Sequence, residues 1–309
     1  MTKIVAVDPI LLYPEHTKLL KEFGELTTYD TVPKNSREII DRIKGADIVI
    51  DYWTALPKEV MENLKNTKMI CSATAGYDWI DVKTASKKGI IITHCPGHNS
   101  ESVAEFTIGL MLSALRRMCK AVNETREGFY KPSGYKSKDL KDKTLGIIGY
   151  GTIGKRVAEI AEQGFGMKIL FTNSSSTRGN LEKLLKESDC ISVNAPLNNK
   201  TRNLLGKHEF DLMKDGVVFV NTGRGAIVNE TALFNALKSG KMYAAGLDML
   251  ANEPFEKNNP LFKLQNVIIT PHIAWNTEES DYRLSAQVVE IISAFISGKP
   301  IYIVSEQRR

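Results

Sequence analysis

Short runs of aliphatic and β-branched residues alternate along this chain with longer stretches in which apolar positions recur three or four apart. Ile4-Val-Ala-Val7 reads as a strand, residues 15–23 as an amphipathic helix closed by Gly24, Ile48-Val-Ile50 as a strand and residues 58–64 as a helix. Residues 68–73 and 90–93 add strands on either side of a helix near 82–87. Strand and helix in alternation argue for a parallel sheet covered on both faces. Residues 1 to about 97 therefore read as one α/β domain.

Cys95-Pro96-Gly97 breaks this rhythm. Ser102-x-x-Glu105 then has the form of a capping box, opening a helix that is apolar nearly all round until Arg116-Arg117. So little polar surface predicts burial between domains or subunits, which makes this helix the domain crossing and a candidate dimer contact; an internal core helix is the alternative. A polar connection, residues 128–142, leads back into alternation. Strands are expected at 144–148, 167–172, 190–194, 217–220, 243–247 and 267–270, and helices at 181–187, 208–213 and 229–239. A long helix over 278–297 can return to the first domain.

One junction in this second half carries a specific signal. Thr144-Leu-Gly-Ile-Ile-Gly149-Tyr150-Gly151-Thr152-Ile153-Gly154 is a strand, a G-x-G-x-x-G turn and the start of a helix. Gly149 suits the tight turn, Gly151 lets backbone approach a pyrophosphate, and Gly154 lets helix and strand pack closely. A glycine-rich loop alone would satisfy the pattern. The preceding strand, following helix and next strand favour a dinucleotide site, with the helix N–H groups facing the anion.

Roughly 20 residues beyond the last glycine, where an acid would grip the ribose 2′-hydroxyl, stands Asn173. Ser174, Ser175, Ser176, Thr177 and Arg178 follow, offering donors and a positive charge. This chemistry favours NADP(H), while NAD(H) remains admissible and a polar surface turn would have the same composition.

At 309 residues the chain suits about two domains. Its 41 basic and 36 acidic residues are interspersed, so nothing resembles a nucleic-acid surface, and the lysines within 136–143 read as a solvated loop. Cys71, Cys95, Cys119 and Cys190 lie far apart with no metal-ligand spacing, which predicts free thiols, a reducing compartment and no metal. The N-terminus enters a strand at once rather than a signal peptide, and the greasiest run, residues 103–115, includes Glu105 and is too short to span a bilayer. A soluble, cytoplasmic protein with no membrane partner is expected.

Candidate chemistry gathers after strands. Ser72-Ala-Thr-Ala75-Gly76-Tyr77-Asp78 is a glycine turn whose N–H groups suit a small anion or an ordinary β-to-α connection. Three later strand ends carry Asn221-Thr222-Gly223-Arg224-Gly225, Asp248-Met-Leu-Ala-Asn-Glu253-Pro254 and Thr270-Pro271-His272-Ile-Ala274-Trp275. An arginine can grip a carboxylate bidentately and polarise a carbonyl; a histidine beside an acid can exchange the proton that accompanies hydride transfer. Taken singly each has a bland reading, as an ion pair, a loop acid or a turn residue. At successive strand ends the chemical reading wins. Of the five histidines, His16 and His208 are expected to be solvated, and His94 and His98 to touch substrate or merely pack. His272 is the candidate acid and base.

On residues 145–154, Val220-Asn-Thr-Gly-Arg-Gly225, Gly246-Leu-Asp-Met-Leu-Ala-Asn-Glu-Pro254 and Thr270-Pro-His-Ile-Ala274, in this order, the chain resembles the D-isomer-specific 2-hydroxyacid dehydrogenase family over essentially its whole length. The resemblance implies an α/β protein of two Rossmann-like, doubly wound parallel-sheet domains with a cleft between them. The substrate domain would take residues 1–97 and 280–309, the nucleotide domain 98–279, and the molecule would be a homodimer. It implies that Arg224 orients a small 2-oxoacid, that His272 is the acid and base with Glu253 as its partner, and that backbone at Ala75 and Gly76 receives the substrate carboxylate. It places Tyr150, Thr152 and Ile153 on the pyrophosphate, and Ala195, Pro196 and Thr201 along the cofactor. Val103, Thr222, Gly223, Asp248 and Ala274 would hold the nicotinamide half.

Relatives that prefer NAD(H) usually carry an acid at the position of Asn173, which strengthens the NADP(H) reading. Trp79 replaces a smaller polar residue, and Glu253 separates this chain from the formate-oxidising branch, which has Gln in that role. The regulatory extension of the longer phosphoglycerate dehydrogenases is not expected. Reduction of glyoxylate or hydroxypyruvate is the anticipated activity. A corepressor-like, nucleotide-sensing interaction protein or a phosphite dehydrogenase-like enzyme is the alternative.

Overall fold

The structure, a computed structural model, describes residues 1–304, so the last five positions of the expected 280–309 return lie outside the described residues. The chain divides into two units, Met1–Asn99 joined by the segment from Asn276 onward, and Ser100–Trp275. In the first unit β1 (Lys3–Ala6), α1 (Pro14–Phe23), β2 (Glu25–Thr27), α2 (Ser36–Ile43), β3 (Ile48–Asp51), α3 (Lys58–Asn63), β4 (Met69–Ser72), α4 (Val82–Lys87) and β5 (Ile91–His94) follow in order. The strands are all parallel, in the spatial order β2-β1-β3-β4-β5. Every residue of β3 and β4 is buried, as strands covered on both faces require.

Two of these elements have no counterpart in the sequence reading. Strand β2 is three residues long, too short to show alternation. Helix α2 does carry a signal: Asn35 caps it by accepting the Glu38 N–H at 3.0 Å, and Ile39 and Ile43, one turn apart, are buried.

The second unit opens with α5 (Ser100–Leu115). This helix begins before the Ser102-x-x-Glu105 box, and Ser102 is buried within its first turn, so Ser102 is not the cap. Asn99 and Ser100 are cap-forming types as well, and spacing alone could not choose among them. Ile108, Leu110, Met111 and Ala114 of α5 pack with Leu145, Val157, Val218 and Ala244 in one core cluster. These residues of α5 thus belong to the internal core of the second unit, the alternative named for this helix. Arg117, in the left-handed conformation at φ 53°, separates it from α6 (Met118–Arg126), which buries none of its residues.

Then come β6 (Thr144–Ile148), α7 (Thr152–Phe165), β7 (Lys168–Thr172), α8 (Arg178–Glu187), β8 (Cys190–Val193), α9 (Lys207–Leu212), β9 (Val217–Asn221), α10 (Glu230–Lys238), β10 (Met242–Leu247) and β11 (Val267–Ile269). They form a six-stranded parallel sheet in the order β11-β10-β9-β8-β6-β7. The chain then returns to the first unit as α11 (Glu278–Ile296), capped by Thr277, with Leu284, Val288 and Ile292 packed among Leu20, Ile50 and Met69. No helix among the described residues is long and apolar enough to cross a membrane.

The order of the larger sheet matters for chemistry. From β6 the chain moves outward to β7 and then returns to the other side of β6 as β8, making a topological switch point of the kind that leaves a crevice at the carboxyl ends. One continuous rung, Thr172, Ile148, Val193, Asn221, Leu247 and Ile269, crosses all six strands at that end.

Candidate active site

Nearly every residue singled out in the second unit lies just past that rung. Gly149 follows β6 at φ +101°, and a Cβ there would come within 2.4 Å of the Ala195 nitrogen on the neighbouring loop. At Gly154 a Cβ would lie 2.2 Å from the Gly149 oxygen. Both positions admit only glycine. Around Gly151, by contrast, a Cβ would meet nothing within 4 Å. The turn is therefore tight on two sides and open on the third, where a pyrophosphate would approach, so the residues present fit a dinucleotide. Thr152 and Ile153 begin α7 and hold N–H groups that a helix leaves without internal acceptors. The Tyr150 N–H is spent on the Thr172 carbonyl at 3.0 Å, so Tyr150 offers its ring instead, stacked on Phe171 with centroids 3.8 Å apart.

At the adenosine end, Asn173 is turned inward. Its Oδ1 accepts the Ser175 N–H at 3.0 Å and the Ser176 hydroxyl at 3.3 Å, while its N–H donates to Ser176 Oγ. Ser174 sits exposed in that turn, and Arg178, at the first position of α8, pairs with Glu209 and, at 3.4 Å, with Glu182. The positive charge of Arg178 is thus shared by two carboxylates. On the next loop the Thr201 hydroxyl donates to the Pro196 carbonyl at 2.7 Å and accepts the Asn198 N–H, pinning the turn that follows Ala195.

Farther along the rung a hydrogen-bond chain ties α5 to the turn after β9. Thr107 donates to the Val103 carbonyl at 2.7 Å, so its oxygen accepts from the Thr222 hydroxyl, also at 2.7 Å, and Asn194 Nδ2 donates to Thr222 in turn. Neither Thr107 nor Asn194 was singled out from sequence. Gly223 donates its N–H to Asn221 Oδ1, and Asn221 Nδ2 donates to the Arg224 carbonyl, shaping the turn that projects Arg224. A Cβ on Gly225 would fall 2.0 Å from Leu250 backbone, so the residue after the arginine must be glycine. The half-buried guanidinium leans on the Gly223 carbonyl at 3.0 Å.

His272 is built into an uncommon conformation, φ +56°, which histidine tolerates better than most residues. The buried Asp248 carboxylate enforces it by accepting the Thr270 hydroxyl at 2.6 Å and the N–H groups of Ile273 and Ala274, each at 2.9 Å. The His272 N–H donates to the Asp248 carbonyl, and Trp275 Nε1 donates to the His272 carbonyl at 2.8 Å. The imidazole Nδ1 lies 3.0 Å from Glu253 Oε2. Asn221, Leu247 and Ile269 share the rung, so Arg224, Asp248 and His272 leave the sheet at one level.

Ala75 and Gly76 belong to the first unit, in the loop after β4. His94 Nδ1 donates to the Ala75 carbonyl at 2.9 Å and Thr74 Oγ1 to the Gly76 carbonyl at 2.6 Å. Tying back the Ala75 carbonyl turns the Gly76 N–H the opposite way, since a trans peptide sets the two antiparallel. Trp79 stacks on Trp53 with centroids 6.3 Å apart and donates Nε1 to Asp51 Oδ2 at 3.0 Å. Burial, with the nearby Asp8 charge, raises the Asp51 carboxyl well above its ordinary value. Among the other histidines, His208 is exposed, but His16 is buried against Ser285 Oγ at 2.9 Å, contrary to expectation. His98 is buried too, donating Nδ1–H to the Cys95 carbonyl at 2.8 Å.

Residues 108–274 match the family profile described as D-isomer specific 2-hydroxyacid dehydrogenase, NAD binding domain. The chain belongs to this family. The dehydrogenase is 36% identical to a hydroxypyruvate reductase of Blautia hydrogenotrophica, the match covering 98% of this chain and 100% of that protein. It is likewise 36% identical to a glyoxylate reductase of Korarchaeum cryptofilum, over 93% of this chain and 92% of that one. Among solved structures it superposes with a TM-score of 0.92 and 32% identity on an acyclic imino acid reductase in complex with NADPH and D-Arg, covering 98% and 100% of the two chains.

Proposed function

We propose that this dehydrogenase reduces a small 2-oxoacid to the D-2-hydroxyacid with NADPH or NADH, NADPH being favoured, and that glyoxylate or hydroxypyruvate is its substrate. A homodimer is carried over from the family resemblance, and a cytoplasmic location from the scattered cysteines and the lack of an apolar spanning run. The observation that bears most weight is the arrangement of Arg224, Glu253 and His272 past the rung that also ends at the glycine turn. Bound reduced nicotinamide supplies the hydride.

This chain's residues supply binding and the proton. Arg224 engages the substrate carboxylate and 2-oxo oxygen, drawing charge from the carbonyl as the alkoxide forms. The Gly76 N–H receives the carboxylate as well. Glu253 holds His272 Nδ1–H, so the proton that the imidazolium gives up leaves from Nε2, and the neutral ring remains in one tautomer. Asp248 keeps that ring aimed by fixing the backbone on both sides of it. Without an acid at Asn173 nothing in the β7–α8 turn itself repels a 2′-phosphate.

The test is a matrix of initial rates with glyoxylate, hydroxypyruvate, pyruvate and bulkier 2-oxoacids, each with NADH and NADPH, with and without ammonia or an alkylamine. Turnover of the small acids alone is expected. Turnover only when the amine is present would replace carbonyl reduction by imine reduction, the chemistry named for the imino acid reductase. Cofactor binding without any turnover would favour a corepressor-like, nucleotide-sensing protein instead.

A further inference from the structure

The loop between β7 and α8 offers a cofactor one cation, Arg178, and the structure has already committed it. Its guanidinium spans from the start of α8 to Glu209 on α9, with Glu182 one helical turn further on as a second partner at 3.4 Å. Glu209 is only 8% exposed, and its other oxygen accepts the Gly206 N–H at 2.8 Å, so it is anchored and cannot swing aside. Burial pulls its carboxyl upward, but Arg178 and the Gly206 N–H outweigh this and leave it lowered, hence ionised. The pair joins α8, which follows the turn after Asn173, to α9.

We infer that Glu209 is a specificity-determining residue for the cofactor: by holding Arg178 it withholds the charge that would otherwise discriminate in favour of a 2′-phosphate. This rests on the reading of the site as an NAD(P)H site. Lys186 lies 4.0 Å from Glu182, so two cations face two carboxylates and the cluster has no net positive charge to offer a phosphate that itself carries about −1.5 to −2. Asn173 presents only its neutral amide, because its oxygen is spent on Ser175 and Ser176, and a neutral donor suits a hydroxyl and a phosphate alike. Discrimination is therefore left to the charge balance at Arg178. The result is an enzyme that accepts both cofactors, with a preference for NADPH weaker than an Arg178 without carboxylate partners would give.

The experiment measures binding of 2′,5′-ADP and of 5′-AMP by calorimetry, independent of turnover, together with the NADPH-to-NADH ratio of kcat/KM. Glu209→Gln keeps an oxygen for the Gly206 N–H while releasing Arg178. It should tighten 2′,5′-ADP by about tenfold, the scale of one charge-assisted contact, leave 5′-AMP within about twofold, and raise the kcat/KM ratio in the same proportion. Adding Arg178→Gln should erase the gain. Equal shifts for both ligands, no shift, or a gain that survives loss of Arg178 would overturn the inference. If Glu209→Gln does not fold, Glu182→Gln carries the same charge test at a half-buried position, with a gain of about two- to threefold expected and its absence equally decisive. Failure of both adenylates to bind the unaltered protein would instead sink the cofactor reading itself.

Discussion

The two sheets of this molecule, five parallel strands in one unit and six in the other, share a design and differ in what their carboxyl ends do. In the first unit the polar groups there are spent on the chain. Asp8 accepts the N–H groups of Tyr52 and Trp53 and the Thr54 hydroxyl, Asp51 holds the Trp79 indole, and Ser72 and Thr74 bond each other at 2.9 Å. In the second unit the same positions carry an open glycine, an arginine projected between two glycines and a histidine held at positive φ. Its buried acid, Asp248, also serves structure, but the structure it serves is the aim of a titratable ring. Architecture alone therefore says little about activity; the residues immediately beyond the last rung decide it.

The contrast is sharpest where a side chain can be removed without disturbing the fold. Asparagine tolerates φ +56° and its amide can still donate to Glu253, so His272→Asn should preserve the turn while leaving no proton to transfer. We expect kcat/KM for the 2-oxoacid to fall by about 10³-fold, mid-range for a general acid–base group, with NADPH affinity and melting temperature little changed. Steady-state kinetics with fluorescence titration of the cofactor check it. A loss under tenfold would move the second unit's histidine into the structural class and erase the distinction between the two sheets.

In the first unit, the corresponding experiment should register on stability instead. Burial pushes His98 down from 6.5 to about 4, against an upward pull from the Cys95 carbonyl and with smaller downward pushes from the Arg283 and His94 charges. The folded state therefore keeps His98 neutral while the unfolded chain takes up a proton below about pH 6.5. Stability that is full above that value drains as pH falls toward about 4, by roughly 3 kcal/mol in total. His98→Asn retains a donor for the Cys95 carbonyl and should flatten this part of the profile in denaturant titrations between pH 7 and 4. Identical slopes for the two proteins would refute the assignment.

Much of this comparison was readable in the sequence because its carriers are local. The fingerprint turn, the arginine between glycines and the histidine after a proline each announce themselves within a few residues, and the strands between them are apolar enough to fix the sheet. What was not readable depends on distant partners. His16 was expected in solvent and is buried by Ser285 on α11, 269 residues away; the charge of Arg178 was read without its partner Glu209, 31 residues away. The Thr107–Thr222 link joins residues 115 apart, neither with a local motif to mark the pairing. Helix α6 buries nothing and so writes no apolar stripe, and α5 was left between an interface and a core reading because the two look alike until their neighbours are known.

The smallest expected effect separates the two kinds of position within a single turn. Gly149 is sealed by the fold, at φ +101° and with Ala195 backbone where a side chain would go, so Gly149→Ala must move backbone and would report only on stability. Gly151 is extended at φ −88°, a conformation alanine adopts freely, and the space around it is open. Gly151→Ala should therefore leave unfolding free energy within about 0.5 kcal/mol, as for other substitutions that disturb no contact. The added methyl stands where a pyrophosphate would approach the start of α7, and dinucleotide affinity should drop about tenfold, or roughly 1.4 kcal/mol. Adenosine, which lacks the pyrophosphate, supplies the control and should bind the variant and the unaltered protein alike. A variant that melts early, or one that binds NADPH normally, would mean that the open side of the turn faces something other than the cofactor.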